Sequence, residues 1–324
     1  MKPINLAKIW GAFCLMSVGL LTQGCVADDL SVCGISMHFR YTRNMDGIDK
    51  FSSSVNKINL YVFDKDGLFV EEYVEERDSL PQDFTIFLNL TPGMYDFIAW
   101  GNLGEDYEYP SILEKGVTRM SDIQLSLKRN AQNAVTTLPG SLFYGSIFRK
   151  EIQATDLQFS ETLLMDMMKN TKEIKVIASG LALEDPTKAA ELEYGCAITS
   201  RNGDYRFDNS ITGDTRLQYI PQETVGDEHQ LVSDFVILRE LSDKSTASKL
   251  IVNRNAPDDS VEELVNVDLV PLLVALAQEQ DLDVVDHFEI ELIFDFTHAS
   301  VSIVIPGWDG EINTGSLGVV GGKW

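Results

Sequence analysis

A cysteine at the end of the first apolar run is the strongest candidate for chemistry in this sequence. Lys2 and Lys8 begin the chain, an apolar stretch covers residues 9–21, and Gly24 and Cys25 follow it. The stretch has the length of a secretory h-region and is too short to cross a bilayer as a helix. A thiol placed directly behind such a signal is a candidate for covalent lipid attachment.

The residues around Cys25 resemble the lipobox that the lipoprotein signal peptidase reads. Gly24 and two leucines upstream fit this pattern, whereas Thr22 and Gln23 depart from it. We expect residues 1–24 to be removed as a signal peptide and Cys25 to be acylated on sulfur and nitrogen. Two or three acyl chains hold a protein stably at a membrane, whereas one chain binds only marginally. The alternatives are a plain secreted chain, or a Cys25 that is buried or disulfide-bonded.

Two acidic residues, Asp28 and Asp29, lie directly behind the cysteine. They resemble the export signals that send some lipoproteins to the outer face of the outer membrane. We therefore expect residues 25–33 to form a lipidated tether, and the protein to be anchored by lipid in the cell outer membrane and exposed at the surface.

The chain is strongly acidic. Its 324 residues include 26 Lys and Arg against 50 Asp and Glu, for a net charge of −24. Residues 1–24 contain two lysines and no acidic residue, so their removal makes the net charge −26. Such a surface repels nucleic acid and anionic membranes, and no nucleic-acid partner is expected. The composition, with 44% hydrophobic and 23% charged residues, predicts a globular chain, and its length suits two domains.

The four cysteines leave one candidate disulfide. Cys14 lies within the signal peptide and Cys25 is expected to carry lipid, so Cys33 and Cys196 are the only intrachain pair available in an oxidising compartment. Two free buried thiols would give the same sequence, and both alternatives stay open.

No catalytic, cofactor or metal motif is found, so no enzyme activity, cofactor or metal is expected. The four histidines, at positions 38, 229, 287 and 298, are isolated from one another. The acids of "DKDG" at 64–67 are spaced like the first ligands of an EF-hand loop. However, Phe69 occupies the position where that loop requires glycine, and the flanking segments are predicted to be strands rather than helices. Tyr107 and Tyr109 could stack on sugars or simply border a loop.

Period-two alternation dominates the mature sequence and predicts strands. Ile35, Met37, Phe39 and Tyr41 alternate with polar residues. We expect a hairpin turning at Asp66-Gly67, where a tight turn accepts positive φ angles. A type II turn at Pro92-Gly93 and a second hairpin near Asn202-Gly203 are expected by the same reasoning.

The pattern predicts two β-sandwich domains, over residues 34–150 and 151–324, because the polar stretch "RKEIQATD" separates two strand-rich blocks. Further strands are predicted in "KEIKVIASGL", "DFVILREL", "SKLIVNR", "HFEIELIFDF" and "SVSIVI". One short helix is predicted in the second block at "DLVPLLVALAQEQ", with Asp268 as its N-cap and Pro271 in its first turn.

Several segments together resemble the FimB family of fimbrial anchor subunits, which belong to type V pili. They are "CVADDLSVC" at 25–33, "INLYVFDKDGLFV" at 58–70, "TPGMYDFIAWGNL" at 91–103, "LFYGS" at 142–146, "MKNTKEIKVIASGL" at 168–181 and "VSIVIPGWDGEI" at 301–312. These segments follow in order over nearly the whole mature chain.

The resemblance implies two tandem transthyretin-like β-sandwiches, an outer-membrane lipid anchor and no enzyme activity. It also implies fimbrial shaft subunits as partners, and a role in seating the shaft, controlling its length and supporting cell adhesion. Stalk, accessory and tip subunits share this fold, so the position in the pilus stays open. The alternative function is a glycan-binding surface lipoprotein of a polysaccharide uptake system, which would require a concave aromatic platform.

Two further expectations follow from this resemblance. Related stalk precursors lose their first strand to an arginine-directed protease, and Arg40, Arg43 and Arg77 are candidate cleavage sites here. The glycine-rich stretch after Trp308 is expected to pair as a mobile strand with a neighbouring subunit, or else to be a frayed tail. Its apolar residues, the candidate subunit contacts, are Ile312, Leu317, Val319 and Val320.

Overall fold

The computed structural model describes residues 35–304 and 312–313, apart from positions 111, 154–160, 182–192, 214, 222–223, 226–229, 244, 257, 259 and 299. The expected lipidation site and tether lie outside the described residues. Within the described ranges, no helix has the length and apolar character needed to span a bilayer.

The fold is all-β, as the alternation predicts. In chain order its elements are β1 (Ile35–Arg43), α1 (Phe51–Ser54), β2 (Lys57–Asp64), β3 (Phe69–Glu76), β4 (Thr85–Leu88), β5 (Gly93–Gly101), β6 (Tyr107–Glu108), β7 (Gln124–Leu127), β8 (Ala134–Val135), β9 (Phe143–Ile152), β10 (Thr162–Lys169), β11 (Thr171–Ser179), β12 (Tyr194–Ser200), β13 (Asp204–Arg206), β14 (Leu217–Tyr219), β15 (Thr224–Val225), β16 (Gln230–Leu238), β17 (Lys249–Asn255), β18 (Val261–Asp268), α2 (Leu269–Leu276), β19 (His287–Asp295), β20 (Ser300–Val304) and β21 (Ile312–Asn313).

The first sandwich is a seven-stranded sheet in the order β3-β2-β5-β9-β10-β1-β4. Strands β9 and β10 pair only at Tyr144 and Phe143, so the sheet can fold over at this seam into two layers. Its core is shared by Met37 and Phe39 from the β10-β1-β4 layer and by Phe97 from the β3-β2-β5-β9 layer. The alternation in β1 is confirmed, because its four apolar side chains are buried in this core.

The second sandwich combines two sheets. One has the order β15-β16-β11-β19-β20-β21, and the other has the order β18-β17-β12-β14-β8. A third, small sheet of β13-β7-β6 joins a segment from the first half of the chain to one from the second. The strands predicted at β11, β16, β17, β19 and β20 are all present.

The β2-β5-β9 layer is buried on both faces. Along β2, Leu60 and Val62 enter the core of the first sandwich, whereas Tyr61 and Phe63 enter the core of the second. Trp100 of β5 likewise belongs to the second core. Buried strands of this kind read as continuous apolar runs rather than as alternating ones. The layer therefore joins the two sandwiches through shared apolar packing.

The predicted helix in the second half is confirmed as α2, but its expected cap is not. Asp268 occupies the N-cap position without a side-chain hydrogen bond to the helix. Its carboxylate instead forms an ion pair with Lys249 at 2.6 Å. The first sandwich also contains the one-turn helix α1, which the sequence reading did not predict.

The hairpin of β2 and β3 is confirmed, with a different turn from the one expected. Gly67 has a φ of 72°, whereas Asp66 is not among the residues with positive φ. The backbone N–H of Gly67 donates to the carbonyl of Asp64 at 2.9 Å, and that of Asp64 donates to the carbonyl of Leu68 at 2.9 Å. This geometry is a type I turn followed by a left-handed glycine, so one positive φ is enough.

The other two expected turns are wrong. Strand β4 pairs with β1 rather than with β5, and Gly93 does not have the positive φ that a type II turn needs. Strand β12 pairs with β14 and β17, while β13 pairs with β7. Asn202 turns the chain from one sheet to another, because its side-chain amide donates to the carbonyl of Leu238 at 2.6 Å.

The change from the first sandwich to the second falls at Asn170. Strand β10 pairs with β1 and β9 in the first sheet, whereas β11 begins one residue later in the second sandwich. The boundary expected after residue 150 therefore does not coincide with the change of sheet. The division into independent domains stays a prediction.

Replacement of Gly180 by alanine should destabilise the second sandwich. Gly180 has a φ of +75°, and an added Cβ would overlap the carbonyl oxygen of Phe294. We expect Gly180→Ala to lower the free energy of unfolding by roughly 2–4 kcal/mol, because strain and overlap act together. Gly195→Ala is the matched control, since a Cβ there meets no atom within 4 Å. Denaturant unfolding of the two variants measures this; equal stabilities would contradict the prediction.

Candidate functional site: sheet edges and the polar junction

The described histidines do not form a site. His38 Nδ1 lies 3.2 Å from the carbonyl of Phe84, His287 lies beside Glu173, and His298 lies beside Asp295. His229 lies outside the described residues. In the part of the chain that the structure describes, no group of three or more His, Cys, Asp or Glu side chains could hold a metal ion.

The rings of Tyr107 and Tyr109 are not exposed, so they cannot stack on a sugar. Tyr107 is buried and its hydroxyl donates to the carbonyl of Gly140, while Tyr109 packs against Tyr61 with ring centroids 5.0 Å apart. A groove of about 540 Å³ crosses β16, β11 and β19, but Phe235 and Phe288 in its lining are buried. Neither place offers an aromatic platform for a glycan.

Only one cysteine of the candidate disulfide lies among the residues that the structure describes. Cys196 lies buried in β12 and has no disulfide partner among the described residues, while Cys33 lies outside them. Burial raises the pKa of the Cys196 thiol to about 12. Because the thiolate is the reactive form, Cys196 is chemically inert near neutral pH.

The two edges of the first sheet differ in chemistry. The β3 edge carries a row of acids, and the backbone of residues 116–118 hydrogen-bonds to Phe69 at one end of it. The β4 edge carries Phe87, which is 67% exposed. Charged side chains protect an edge strand from adding a foreign strand, so only β3 has this protection. Its acids are Glu71, Glu72, Glu75 and Glu76.

The C-terminal candidate contacts are seen only in part. Ile312 lies in β21, whose backbone pairs with β20 at Ile303 and forms the outer strand of the six-stranded sheet. Leu317, Val319 and Val320 lie outside the described residues. The backbone of Ile312 is thus paired within its own chain, and the expected contact with a neighbour stays a prediction.

Strand β1 is built into the interior of the first sheet. It runs parallel to β10 from Ser36 to Arg43 and antiparallel to β4 on its other side. Arg40 forms an ion pair with Asp166 of β10 at 3.2 Å. Of the candidate cleavage sites, Arg40 and Arg43 lie in this strand, whereas Arg77 follows β3 in an exposed segment.

A polar junction ties β1 to the second sandwich. The Tyr41 hydroxyl donates to Asp286 at 2.9 Å, and Arg43 lies 3.5 Å from Asp283. Lys172 donates to the carbonyl of Asp283 at 2.9 Å. Burial lowers the pKa of Lys172 to about 8, although Asp286 and Asp283 oppose this shift. Sequence reasoning missed this cluster, because its members are far apart along the chain.

Asn170 completes the junction at the point where the chain changes sheets. Its backbone N–H donates to the carbonyl of Leu142, and its carbonyl accepts from the N–H of Arg239, both at 2.7 Å. Its side-chain amide exchanges two hydrogen bonds with Asn209, at 2.6 and 3.1 Å. Every polar group of this fully buried residue is therefore bonded, as burial requires.

A buried acid lies at the connection of β16 to β17. The carboxylate of Glu240 accepts hydrogen bonds from several side chains. Burial raises the pKa of Glu240 to about 7, although the hydrogen bonds act in the opposite direction. Its donors are Ser200, Asn202, Thr246 and Ser248.

The chain is similar to known fimbrial proteins. A family model for fimbrillin-A associated anchor proteins Mfa1 and Mfa2 matches residues 30–314. The minor fimbrium anchoring subunit Mfa2 of Porphyromonas gingivalis is 25% identical over 272 residues, which cover 80% of this chain and 79% of that protein.

Solved structures share the fold. The fimbrial anchor protein Mfa2 from Porphyromonas gingivalis superposes with a TM-score of 0.71 at 22% identity, over 86% of this chain and 98% of that one. A proposed polysaccharide-binding protein from Bacteroides thetaiotaomicron gives a TM-score of 0.70 at 24% identity, over 85% of this chain and 96% of that one.

The class of protein is that of accessory fimbrial subunits, located at the cell surface or in the envelope. More narrowly, the chain belongs to the family of fimbrillin-A associated anchor proteins Mfa1 and Mfa2, which its residues match from 30 to 314. The resemblance to fimbrial anchor subunits noted in the sequence is thus confirmed.

The raised pKa of Glu240 predicts a pH-dependent stability. The folded state keeps its proton up to about pH 7, whereas an unfolded glutamate loses it near its ordinary pKa of 4.5. The contribution of Glu240 to stability is therefore greatest below pH 4.5 and falls as the pH rises to 7, by on the order of 3 kcal/mol. Glu240→Gln should remove this slope, because neighbouring hydroxyls can rotate to accept from the amide.

Urea unfolding from pH 4.5 to 8 measures this effect. Asp243→Asn is the matched control, because Asp243 lies exposed in the same connection and its pKa is lowered by hydrogen bonds from Ser245. That variant should keep the wild-type slope over the upper part of the range. An unchanged slope in Glu240→Gln would contradict the assignment.

Proposed function

We propose that this protein is a fimbrial anchor, which holds the shaft at the outer membrane through lipid on Cys25. Family membership supports the fimbrial role, and the apolar run before Gly24-Cys25 supports the lipid. Asp28 and Asp29 support exposure at the outer surface. The shaft subunits are the partners, and the protein sets where the shaft begins and how long it grows.

The position of β1 is the observation that favours an anchor over a stalk subunit. This strand begins ten residues after Cys25, pairs with β10 from residue 36 to residue 43 and pairs with β4 over residues 35–38. Force along a strand paired in this way acts on all its hydrogen bonds together. Tyr41 and Arg43 extend the connection to the second sandwich. A pull on the lipid would thus reach both sandwiches through β1.

The same placement bears on processing by an arginine-directed protease. Arg40 and Arg43 lie beyond the part of β1 that pairs with β4, but both pair with β10, so a protease would have to detach β1 from β10 to cleave there. We propose that neither bond is cut in the folded protein. Arg77 is the more accessible candidate, since its side chain is 56% exposed. An anchor that keeps β1 also keeps its lipid.

Loss of the acylated cysteine should release the fimbriae. We expect Cys25→Ala cells to shed fimbriae into the medium, because the tether then has no acyl chains. Cys33→Ala is the matched control, since it removes a cysteine eight residues away and should leave attachment intact. Electron microscopy of cells and medium measures release, and mass spectrometry of the wild-type protein should show an acylated Cys25. Fimbriae that stay attached to Cys25→Ala cells would refute the lipid anchor.

Removal of the C-terminal stretch should disturb the shaft. We propose that the residues after Gly310 meet the next subunit, because backbone pairing along a sheet edge gives affinity and alternate side chains give register. Truncation after Gly310 should detach fimbriae or change their length. It also removes β21, so a second variant keeps that strand and replaces Leu317, Val319 and Val320 by serine. Fimbriae of normal length and attachment in both variants would show that the C-terminal residues are not the contact with the next subunit.

A further inference from the structure

The outer face of the β10-β1-β4 layer carries two exposed apolar side chains. Phe87 of β4 is 67% exposed and Leu164 of β10 is 45% exposed. Phe87 lies opposite Ser36 and Leu164 lies opposite His38, so the two flank β1 on the same face. Strands two places apart are separated by about 10 Å. We call Phe87 and Leu164 the β4 strip; between them, His38 is half-buried and Ser36 is buried.

The β4 strip is nearly neutral in a strongly acidic protein. Arg40 and Asp166, which lie next along β1 and β10, form an ion pair with each other, and Asp83 lies exposed two residues before β4. The chain as a whole has a net charge of −24, and the β3 edge of the same sheet carries four glutamates. Like charges repel an acidic protein from an anionic surface, so the β4 strip is the edge that can approach one.

The chain from the lipidation site enters the fold beside the β4 strip. Strand β1 begins at Ile35, which pairs with Leu88, the neighbour of Phe87. Ten residues separate Ile35 from Cys25. Even a fully extended chain of this length spans only about 35 Å. Acyl chains on Cys25 would therefore keep this end of the first sandwich close to the bilayer.

We propose that the β4 strip rests on the lipid surface and gives the anchored protein a fixed orientation. This inference depends on the proposed function only for the acylation of Cys25. The lipid provides one point of attachment, about which the protein could swing. Phe87 and Leu164 provide a second point, since aromatic and aliphatic side chains gain by leaving water. The β3 edge, with its glutamates, then faces away from the membrane.

Fluorescence quenching by the membrane tests the orientation. The acylated chain is placed in phosphatidylcholine vesicles whose headgroups carry a nitroxide quencher. In a Cys33→Ser background, where the remaining thiol of Cys196 is buried, a fluorophore is attached at Phe87→Cys. The matched control is Val74→Cys, because Val74 is 50% exposed on β3 at the opposite edge. We expect several-fold stronger quenching at position 87 than at position 74.

Equal quenching at the two positions would overturn the proposal. The proposal would also be overturned if the fluorophore at position 87 became protected from solvent only when fimbrial shaft subunits are added. The β4 strip would then be a contact with protein rather than with lipid. A second arm replaces residues 1–25 by a hexahistidine tag and holds the chain on nickel-chelating lipid.

The second arm separates this inference from the lipid anchor. Preferential quenching at position 87 in this arm supports the strip where Leu164→Ser reduces it, because a tether at residue 25 alone would leave the quenching unchanged. This readout does not depend on the acylation of Cys25. Stable binding through acylated Cys25 with equal quenching at positions 74 and 87 supports the anchor and refutes the strip.

Discussion

The fold depends on one layer of strands that is buried on both faces. Strands β2, β5 and β9 send alternate side chains into two different cores, so neither sandwich can lose this layer without exposing the other. Trp100 shows the consequence, because it belongs to β5 of the first sheet and packs against Tyr205 of the second half of the chain, with ring centroids 6.4 Å apart. Apolar burial of this extent makes the two sandwiches one mechanical unit, whereas smaller and more polar interfaces permit relative motion of domains.

The hydrogen bonds of the polar junction restrict the relative orientation of the two sandwiches, which the apolar contact alone does not. Packing is non-directional, but the hydrogen bonds of Asn170 and of Tyr41 with Asp286 have a required geometry. Removal of one partner would leave a buried polar group unsatisfied, which costs more than the bond itself contributes. The junction therefore fixes the angle between sandwiches that the shared layer already holds together. A subunit that transmits tension needs both properties.

The sequence predicted the strands well and their partners poorly. Alternation in β1 follows from local chemistry, so Met37 and Phe39 could be assigned to a core without knowing what faces them. Pairing is a long-range property, and the turns at Gly93 and Gly203 carry no mark that tells a hairpin from a crossing between layers. The polar stretch that begins at Arg149 starts within β9, whereas the change of sheet lies at Asn170, a buried asparagine that looks ordinary in sequence. Family resemblance supplied the fimbrial role, which composition could not.

The absence of a catalytic motif from the sequence has a physical counterpart in how an anchor works. Enzymes concentrate function in a few side chains whose types and spacing can be recognised, whereas an anchor distributes it over backbone pairing, which any strand sequence provides. Two of the groups with shifted pKa values, Lys172 and Glu240, are buried within the fold at connections between sheets. Shifted pKa values often mark catalytic groups, but structural networks produce them too. Here they mark the places where two sandwiches and their connecting loops are held in register. For the proposed anchor role, the functional information lies in the order of the strands and in the two chemically different edges of the first sheet.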